Sequence, residues 1–251
     1  MKTLLRQFIP AFVVKFHRSV RRKISKFQNK NCSVEDVFTK IYKNNKWGGA
    51  KGEFCSGSGS VDQEITEAYI SVISEISKRE SFGDLSFVDL GCGDFRIGSK
   101  LLPLCKHYTG VDIVKPIVTR NQELFGNINT EFLHLDILKD DLPLGDVCFV
   151  RQVMQHLSNQ QISLLLPKLK QYQWVFVTEH YPTDNDKIIP NKDKVHGGDI
   201  RLYDNSGVYL SLPPFSLQQS ALKLILEVPG STVTKGDRGI IRTFIYNPSS
   251  A

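Results

Sequence analysis

The sequence predicts an α/β fold organised on a parallel sheet, and three observations carry that expectation. The apolar run 85–90 reads as a buried strand that empties into the turn Gly91–Cys92–Gly93 and then a helix. A second strand-like run, 108–113, places Asp112 at its end, nineteen positions after Gly93. Further strand-like runs at 132–137, 147–150 and 174–177 alternate with crossover stretches, which favours a sheet with flanking helices over a helical scaffold. In such a sheet a glycine turn at the carboxyl end of a strand opens a ligand crevice. An acid ending the next strand is placed to accept hydrogen bonds from a ribose diol.

The chain is long enough for one substantial domain, with 251 residues and 41% hydrophobic content. Its five cysteines, at 32, 55, 92, 105 and 148, show neither metal-ligand spacing nor a disulfide framework, so a reducing cytoplasmic setting is expected. The spacing of His and Asp residues carries no metal signature either, and no metal is expected.

Residues 1–30 differ in character. They hold nine Lys or Arg and no acid, which leaves a net −3 on residues 31–251 against +6 for the whole chain. Val13, Phe16, Val20, Ile24 and Phe27 share one helical face, with Arg18, Arg21, Arg22, Lys23 and Lys26 beside it. This segment reads as basic and amphipathic: a peripheral helix for an anionic membrane, a docking element for a partner protein, a solvated helix packed on its own domain, or a segment attracted to RNA, since basic charge alone does not separate lipid from nucleic acid. The apolar stretch 8–14 is too short to span a bilayer.

Residues 31–61 combine a short helical face (Val37, Phe38, Ile41, Tyr42) with Trp47–Gly48–Gly49 and the Gly/Ser run 56–60. The segment is either a linker or a lid, and Trp47 either excludes water from the site or plugs the space between helices and sheet. A helix with the stripe Ile65, Tyr69, Val72, Ile73 and Ile76 follows, capped by Asp62 or Ser60. Ile162, Leu165, Leu166 and Leu169 form another, broken or kinked near Pro167.

The three glycines of a dinucleotide fingerprint are not complete here, because Arg96 stands three positions after Gly93. The run Asp89–Leu90–Gly91–Cys92–Gly93 instead resembles the first motif of class I S-adenosylmethionine-dependent methyltransferases. The resemblance covers roughly residues 62–246 and implies a seven-stranded Rossmann-like sheet, closed by the two late runs 221–228 and 239–246 as an antiparallel hairpin. It also implies S-adenosyl-L-methionine as cofactor. Asp89 would then lie near the donor's amino-acid moiety, and Gly91, Cys92 and Gly93 would pass beside it. Asp112, with Ile113 adjacent, would hold the ribose, and Asp136 and Ile137 the adenine. Arg151 begins the segment that borders donor and acceptor. Phe95 stands where many relatives have another glycine. In the lid reading, Trp47, Gly57 and Gly59 would close on the sulfonium end.

The Trp-Gly-Gly and Ser-Gly-Ser-Gly-Ser patterns, with an acceptor-side insertion at 181–215, resemble glycan-associated sugar O-methyltransferases. That resemblance implies a carbohydrate acceptor, with nucleic acid not expected and a glycosyltransferase a possible partner of residues 1–30. Methyl transfer to a hydroxyl requires a group that accepts its proton. His180, at the end of the fifth strand, is the preferred base and His196 the second, with Glu179 or Asp199 orienting the imidazole. Arg201, Tyr203 and Tyr209 are expected to bind a sugar. His156 either orients the acceptor or is a helix-start histidine satisfied by backbone carbonyls.

Overall fold

In the computed structural model, which describes residues 24, 27–183, 187–230 and 239–248, seven strands form one sheet. They are β1 (Ser86–Leu90), β2 (His107–Asp112), β3 (Thr130–His134), β4 (Val147–Arg151), β5 (Trp174–Tyr181), β6 (Leu222–Pro229) and β7 (Ile240–Tyr246), in the order β3-β2-β1-β4-β5-β7-β6. Strands β1 to β5 are parallel, and β7 lies antiparallel between β5 and β6. The order reverses between β1 and β4, so the loops leaving their carboxyl ends diverge and leave a crevice at that switch point.

Alternate residues of the central strands bury opposite faces. Val88, Leu90, Val150, Val175 and Val177 pack with Ile162, Leu165 and Leu166 on one side. Phe87, Phe149 and Phe176 pack with Tyr69, Ile73 and Ile76 on the other. The helices in chain order are α1 (Val34–Lys43), α2 (Ser58–Val61), α3 (Gln63–Arg79), α4 (Gly98–Leu101), α5 (Lys115–Phe125) and α6 (Asn159–Lys168). Ser33 caps α1, the Asp62 side chain caps α3, and Ser158 with Gln161 forms a capping box on α6. Pro167 does not break α6, which continues one residue further before tightening into a 3₁₀ turn. Val37, Phe38, Ile41 and Tyr42 of α1 pack on Val114 and Ile117, fastening the 31–61 segment over the ends of the parallel strands.

Two strand boundaries depart from the sequence reading, and both departures move site residues. Strand β3 ends at His134, so Asp136 and Ile137 lie in the turn beyond it. There Asp136 Oδ1 accepts from the Leu138 amide at 3.0 Å, and Asp140 Oδ2 accepts from the Asp136 amide at 2.8 Å, which gives the backbone a local alternative to the ladder. Strand β5 runs on to Tyr181 because β7 pairs with it throughout, Glu179 opposite Arg242 and His180 opposite Ile241. Glu179 and His180 therefore sit inside a strand, facing opposite ways. Between β5 and β6, no strand is present among the described residues; a 3₁₀ helix at Arg201–Asp204 is the main regular piece of the insertion. Of the amino-terminal amphipathic face, Ile24 and Phe27 are exposed, and its other members lie outside the described residues.

Candidate functional site

The crevice is shaped by the turn after β1. Gly91 and Gly93 take φ of 78° and 55°, and a Cβ on Gly91 would come within 2.6 Å of Val153 Cγ2, so a side chain is excluded by both conformation and space. Phe95 also has positive φ, 60°, a conformation costing a non-glycine residue about 1–2 kcal/mol. Its buried ring offsets that cost by packing against Phe132, Phe125 and Tyr108, with centroids 4.6, 5.0 and 5.3 Å away. The aromatic side chain thus points into the core and does not line the cleft.

Asp112 stands at the end of β2 and is almost fully buried. Its Oδ2 accepts from the Gly93 amide at 3.0 Å and its Oδ1 from the Val114 amide at 2.9 Å. Burial raises its pKa while these amides oppose the rise. One acceptor position per oxygen remains for a ligand. Asn121 fixes the turn from below, its Nδ2 donating to Gly93 O at 2.8 Å. Asp89 accepts from the Tyr108 hydroxyl at 2.9 Å, and burial pushes its pKa up to about 6. Cys92 lines the cleft with its thiol pushed up by burial, which keeps it protonated. The Arg151 guanidinium lies over the Tyr69 ring at 5.0 Å and donates through Nη2 to Gly59 O at 2.6 Å, while its buried Nε has no protein partner.

Asp89, Gly91, Cys92, Gly93, Asp112, Ile113, Asp136, Ile137 and Arg151 all line this one cleft, whose space is about 1090 Å³ including its open mouth. Val34, Phe38 and Tyr42 of α1, with Trp47, Ser56 and Ser60, supply the facing wall. Ser56 joins that wall to the glycine turn: its Oγ accepts from the Asp94 amide at 2.8 Å and its amide donates to Asp94 Oδ2 at 3.0 Å. Tyr42 hydroxyl and Ser56 Oγ are 3.0 Å apart. Gly57 and Gly59, expected at the sulfonium end, do not line the cleft; Ser56 and Ser60 do. Gly57 lies beside Trp47, and Gly59 leaves room for the Gln152 amide.

Beyond β4 the wall continues with Gln152, Val153, His156 and Leu157. Gln152 holds φ at 57° and its Nε2 is buried without a partner. The His156 ring stands between Phe38 and Trp47, centroids 6.1 and 5.0 Å away. Its Nδ1 lies 3.1 Å from Gly197 O, which can only accept, so Nδ1 carries the proton and Nε2 the lone pair. Desolvation, assisted by the Lys194 charge, pushes its pKa down to about 3.

Apart from His156, the residues expected to act on the acceptor are elsewhere. His180 is buried within the sheet, close to Gly239, and does not line the cleft. Glu179 points to the other face, accepting from the Met154 and Gln155 amides at 2.8 and 3.1 Å; burial raises its pKa to about 8. His196 bridges Cys32 O at 3.2 Å and Gln161 at 3.3 Å, and with Asp199 and Tyr203 lines a second, separate cleft beside α1. Arg201 is buried, donating to Lys192 O at 2.6 Å and Leu157 O at 2.8 Å, and so ties the insertion to the start of α6. The Tyr209 ring packs on Tyr181 at 5.1 Å. Two features of the fold place these residues away from the cleft: Arg201 of the insertion is spent on backbone carbonyls of its own chain, and the extended β5 draws Glu179 and His180 into the sheet.

No family model matches the chain. Two uncharacterized methyltransferases, from Mycobacterium bovis and Mycobacterium tuberculosis, are each 30% identical over 84 residues, covering 33% of this chain and 43% of theirs. The chain thus spans less than half the length of the curated relatives it matches. The solved 1,6-didemethyltoxoflavin-N1-methyltransferase of Burkholderia thailandensis superposes with a TM-score of 0.54 at 12% identity, over 85% of this chain and 87% of that one. The fold is that of the class I methyltransferases. Magnesium protoporphyrin IX methyltransferase of Synechocystis PCC 6803, with bound S-adenosylhomocysteine, agrees with a TM-score of 0.51 at 15% identity over 86% and 100% of the two chains. In this methyltransferase fold the glycine turn, Asp112 and the 136–137 turn line one cleft, the arrangement that the family resemblance implies. Ser56 belongs to the stretch that the lid reading places there, whereas Tyr42, Ser60 and Gln152 were not anticipated. Their only sequence signal is position, before β1 and directly after β4.

Proposed function

We propose that this chain is an S-adenosylmethionine-dependent methyltransferase whose acceptor is a sugar hydroxyl. The observation that carries the donor reading is the single cleft in which Asp112, the Gly91–Cys92–Gly93 turn, Asp89 and Arg151 converge. The residues fit the donor group by group. Asp112 has acceptor positions left for the two ribose hydroxyls, and Asp89 suits the α-ammonium. The unpartnered Arg151 Nε suits the carboxylate, and Asp136 with Leu135, Ile137 and Leu138 offers one acid among apolar side chains for the adenine. When bound, the donor supplies an electrophilic sulfonium methyl and leaves as S-adenosylhomocysteine.

The acceptor reading is supported by the Trp47 indole and His156 imidazole, which stand together in the cleft wall. Trp47 offers a flat apolar face for a sugar ring, and Phe38 and Tyr42 hold it from behind. His156 Nε2 takes the hydroxyl proton as the oxygen–carbon bond forms and the sulfur–carbon bond breaks. The positive charge thereby passes from sulfur to imidazole, and the net charge of the cleft is unchanged. The low pKa of His156 keeps the ring unprotonated beforehand but makes it a weak base, so proton transfer must accompany carbon–oxygen bond formation and cannot precede it. This replaces His180 and His196 as the base.

The test is turnover with methyl-labelled donor against sugars, nucleotide sugars and phenols, with products identified by mass spectrometry. Label on a sugar oxygen supports the reading. Label confined to phenols or other small metabolites moves the acceptor class, and donor binding without transfer to any extract component would make the chain a noncatalytic binder.

A further inference from the structure

Lys194, a charged side chain of the second cleft, reaches the back of the His156 ring. Lys194 Nζ donates to three backbone carbonyls: Gln155 at 3.2 Å, Gly197 at 3.4 Å and Asp199. The first belongs to the short helix Met154–His156 after β4, and the other two to the insertion. Three carbonyl dipoles converging on one point repel each other unless a cation with three donors sits between them, which an ammonium group provides.

The strand of chain that Lys194 gathers also carries both rings of the acceptor wall. Gly197 O accepts from His156 Nδ1 at 3.1 Å, and the Gly197 amide donates to His156 O at 2.9 Å. Gly198 O accepts from Trp47 Nε1 at 3.1 Å. A Cβ at Gly198 would lie 3.0 Å from Ile41 Cδ1 and 3.2 Å from Trp47 Nε1, so glycine permits the approach.

We infer that Lys194 is a positioning residue for the proposed methyl transfer: its ammonium clamps the insertion onto the 154–156 helix, fixing His156 as the Nδ1–H tautomer, with the Nε2 lone pair met only by the long 3.5 Å contact of the Gln155 amide, which an acceptor hydroxyl would displace. The inference rests on the reading of His156 as proton acceptor. The groups that face the ring are Phe38 from α1, Trp47 from the preceding loop, Gln155 on its own helix, and Lys194, Gly197 and Asp199 from the insertion. Glu179, beneath the same helix, is engaged by the Met154 and Gln155 amides. Lys194 thus supplies the cation that disfavours protonation of the ring. It acts on His156 in two ways, through the shared Gly197 carbonyl and through charge.

The test uses the full chain and ¹⁵N NMR of the histidine rings, with His156 assigned by loss of its signals in His156→Gln. In the wild type His156 is expected as the neutral Nδ1–H tautomer, without titrating between about pH 5 and 8. In Lys194→Met a mixture of tautomers is expected, with a titration midpoint higher by roughly one unit or more, and altered Trp47 fluorescence. Lys194→Arg keeps the charge but not three convergent donors, so the midpoint should stay low while the tautomers mix. An unchanged tautomer and midpoint in folded Lys194→Met overturns the inference. If Lys194→Met does not fold, an unchanged tautomer in Lys194→Arg overturns it instead. Wild-type turnover by His156→Gln would sink the base assignment, while leaving the tautomer result to stand or fall separately.

Discussion

Replacing Asp112 separates donor binding from scaffolding, because the same carboxylate does both in this account. Its two oxygens each accept one backbone amide, from Gly93 and Val114, and each retains one acceptor position for a ribose hydroxyl. Asp112→Ala removes all four interactions, whereas Asp112→Asn keeps one carbonyl oxygen and turns an NH₂ group against an amide N–H. A hydrogen bond to a charged group contributes about 1.5–3 kcal/mol, and each 1.4 kcal/mol is a factor of about ten in affinity. Asp112→Asn is therefore expected to weaken S-adenosylhomocysteine binding by about 10- to 150-fold, and Asp112→Ala by more than about 100-fold. Loss of the amide contacts appears separately as a lower unfolding temperature without ligand, by about 2–4 °C per kcal/mol for a chain of this size. Calorimetric titration with S-adenosylhomocysteine, set beside thermal unfolding of the same samples, reads the two effects apart. An unchanged dissociation constant for Asp112→Ala, alongside reduced stability, would refute the ribose assignment and leave Asp112 as scaffold alone.

Glu179→Ala should strand the buried Met154 and Gln155 amides at about 1–3 kcal/mol each and loosen the helix that carries His156; thermal unfolding and the His156 NMR signals measure both. The raised carboxyls of Asp89 and Glu179 contribute stability that is full below the usual carboxylate range and is lost as pH rises through about 6 and about 8. His156 contributes oppositely, losing stability as pH falls from its ordinary value toward about 3. Denaturant titrations of the ligand-free chain should thus show stability declining from the usual carboxylate range upward, Asp89 contributing as far as about pH 6 and Glu179 as far as about pH 8, each with a slope of up to about 1.4 kcal/mol per pH unit within its own window and opposed by His156 at the acid end, and Glu179→Gln should flatten the upper part. Deleting residues 1–26, which spares the Asn29 contact to His196 O, is expected to reduce sedimentation with phosphatidylserine vesicles and leave donor affinity intact; equal sedimentation would reject membrane docking.

The half of the cleft proposed for the donor was legible in position because its residues sit at strand ends. Gly91, Gly93 and Asp112 are placed by local geometry, a left-handed turn and the next strand's terminus, and the sequence shows both. The acceptor half depends on where chain segments far apart in sequence meet. His180 read as a strand-end base because the apolar run stops at Val177, yet pairing with β7 carries β5 on to Tyr181. Arg201 and Tyr209 read as sugar ligands because polar, aromatic insertions often serve a site, whereas here Arg201 satisfies carbonyls of its own chain. Lys194 carried no sequence signal, since its role exists only once carbonyls from 155, 197 and 199 converge. Asp136 was correctly placed at the cleft although its strand stops at His134, because the Asx turn that replaces the strand keeps it on the same edge.

The donor is expected in the cleft between the β1 turn and α1. The most direct test of that placement is an amide NMR titration of the full chain with S-adenosylhomocysteine. Saturable one-to-one binding with the largest shifts at Gly91, Cys92, Gly93, Ile113 and Ile137 is the predicted result. Shifts confined to the second cleft around Lys40, Lys46 and Tyr203, or no saturable binding, would contradict it.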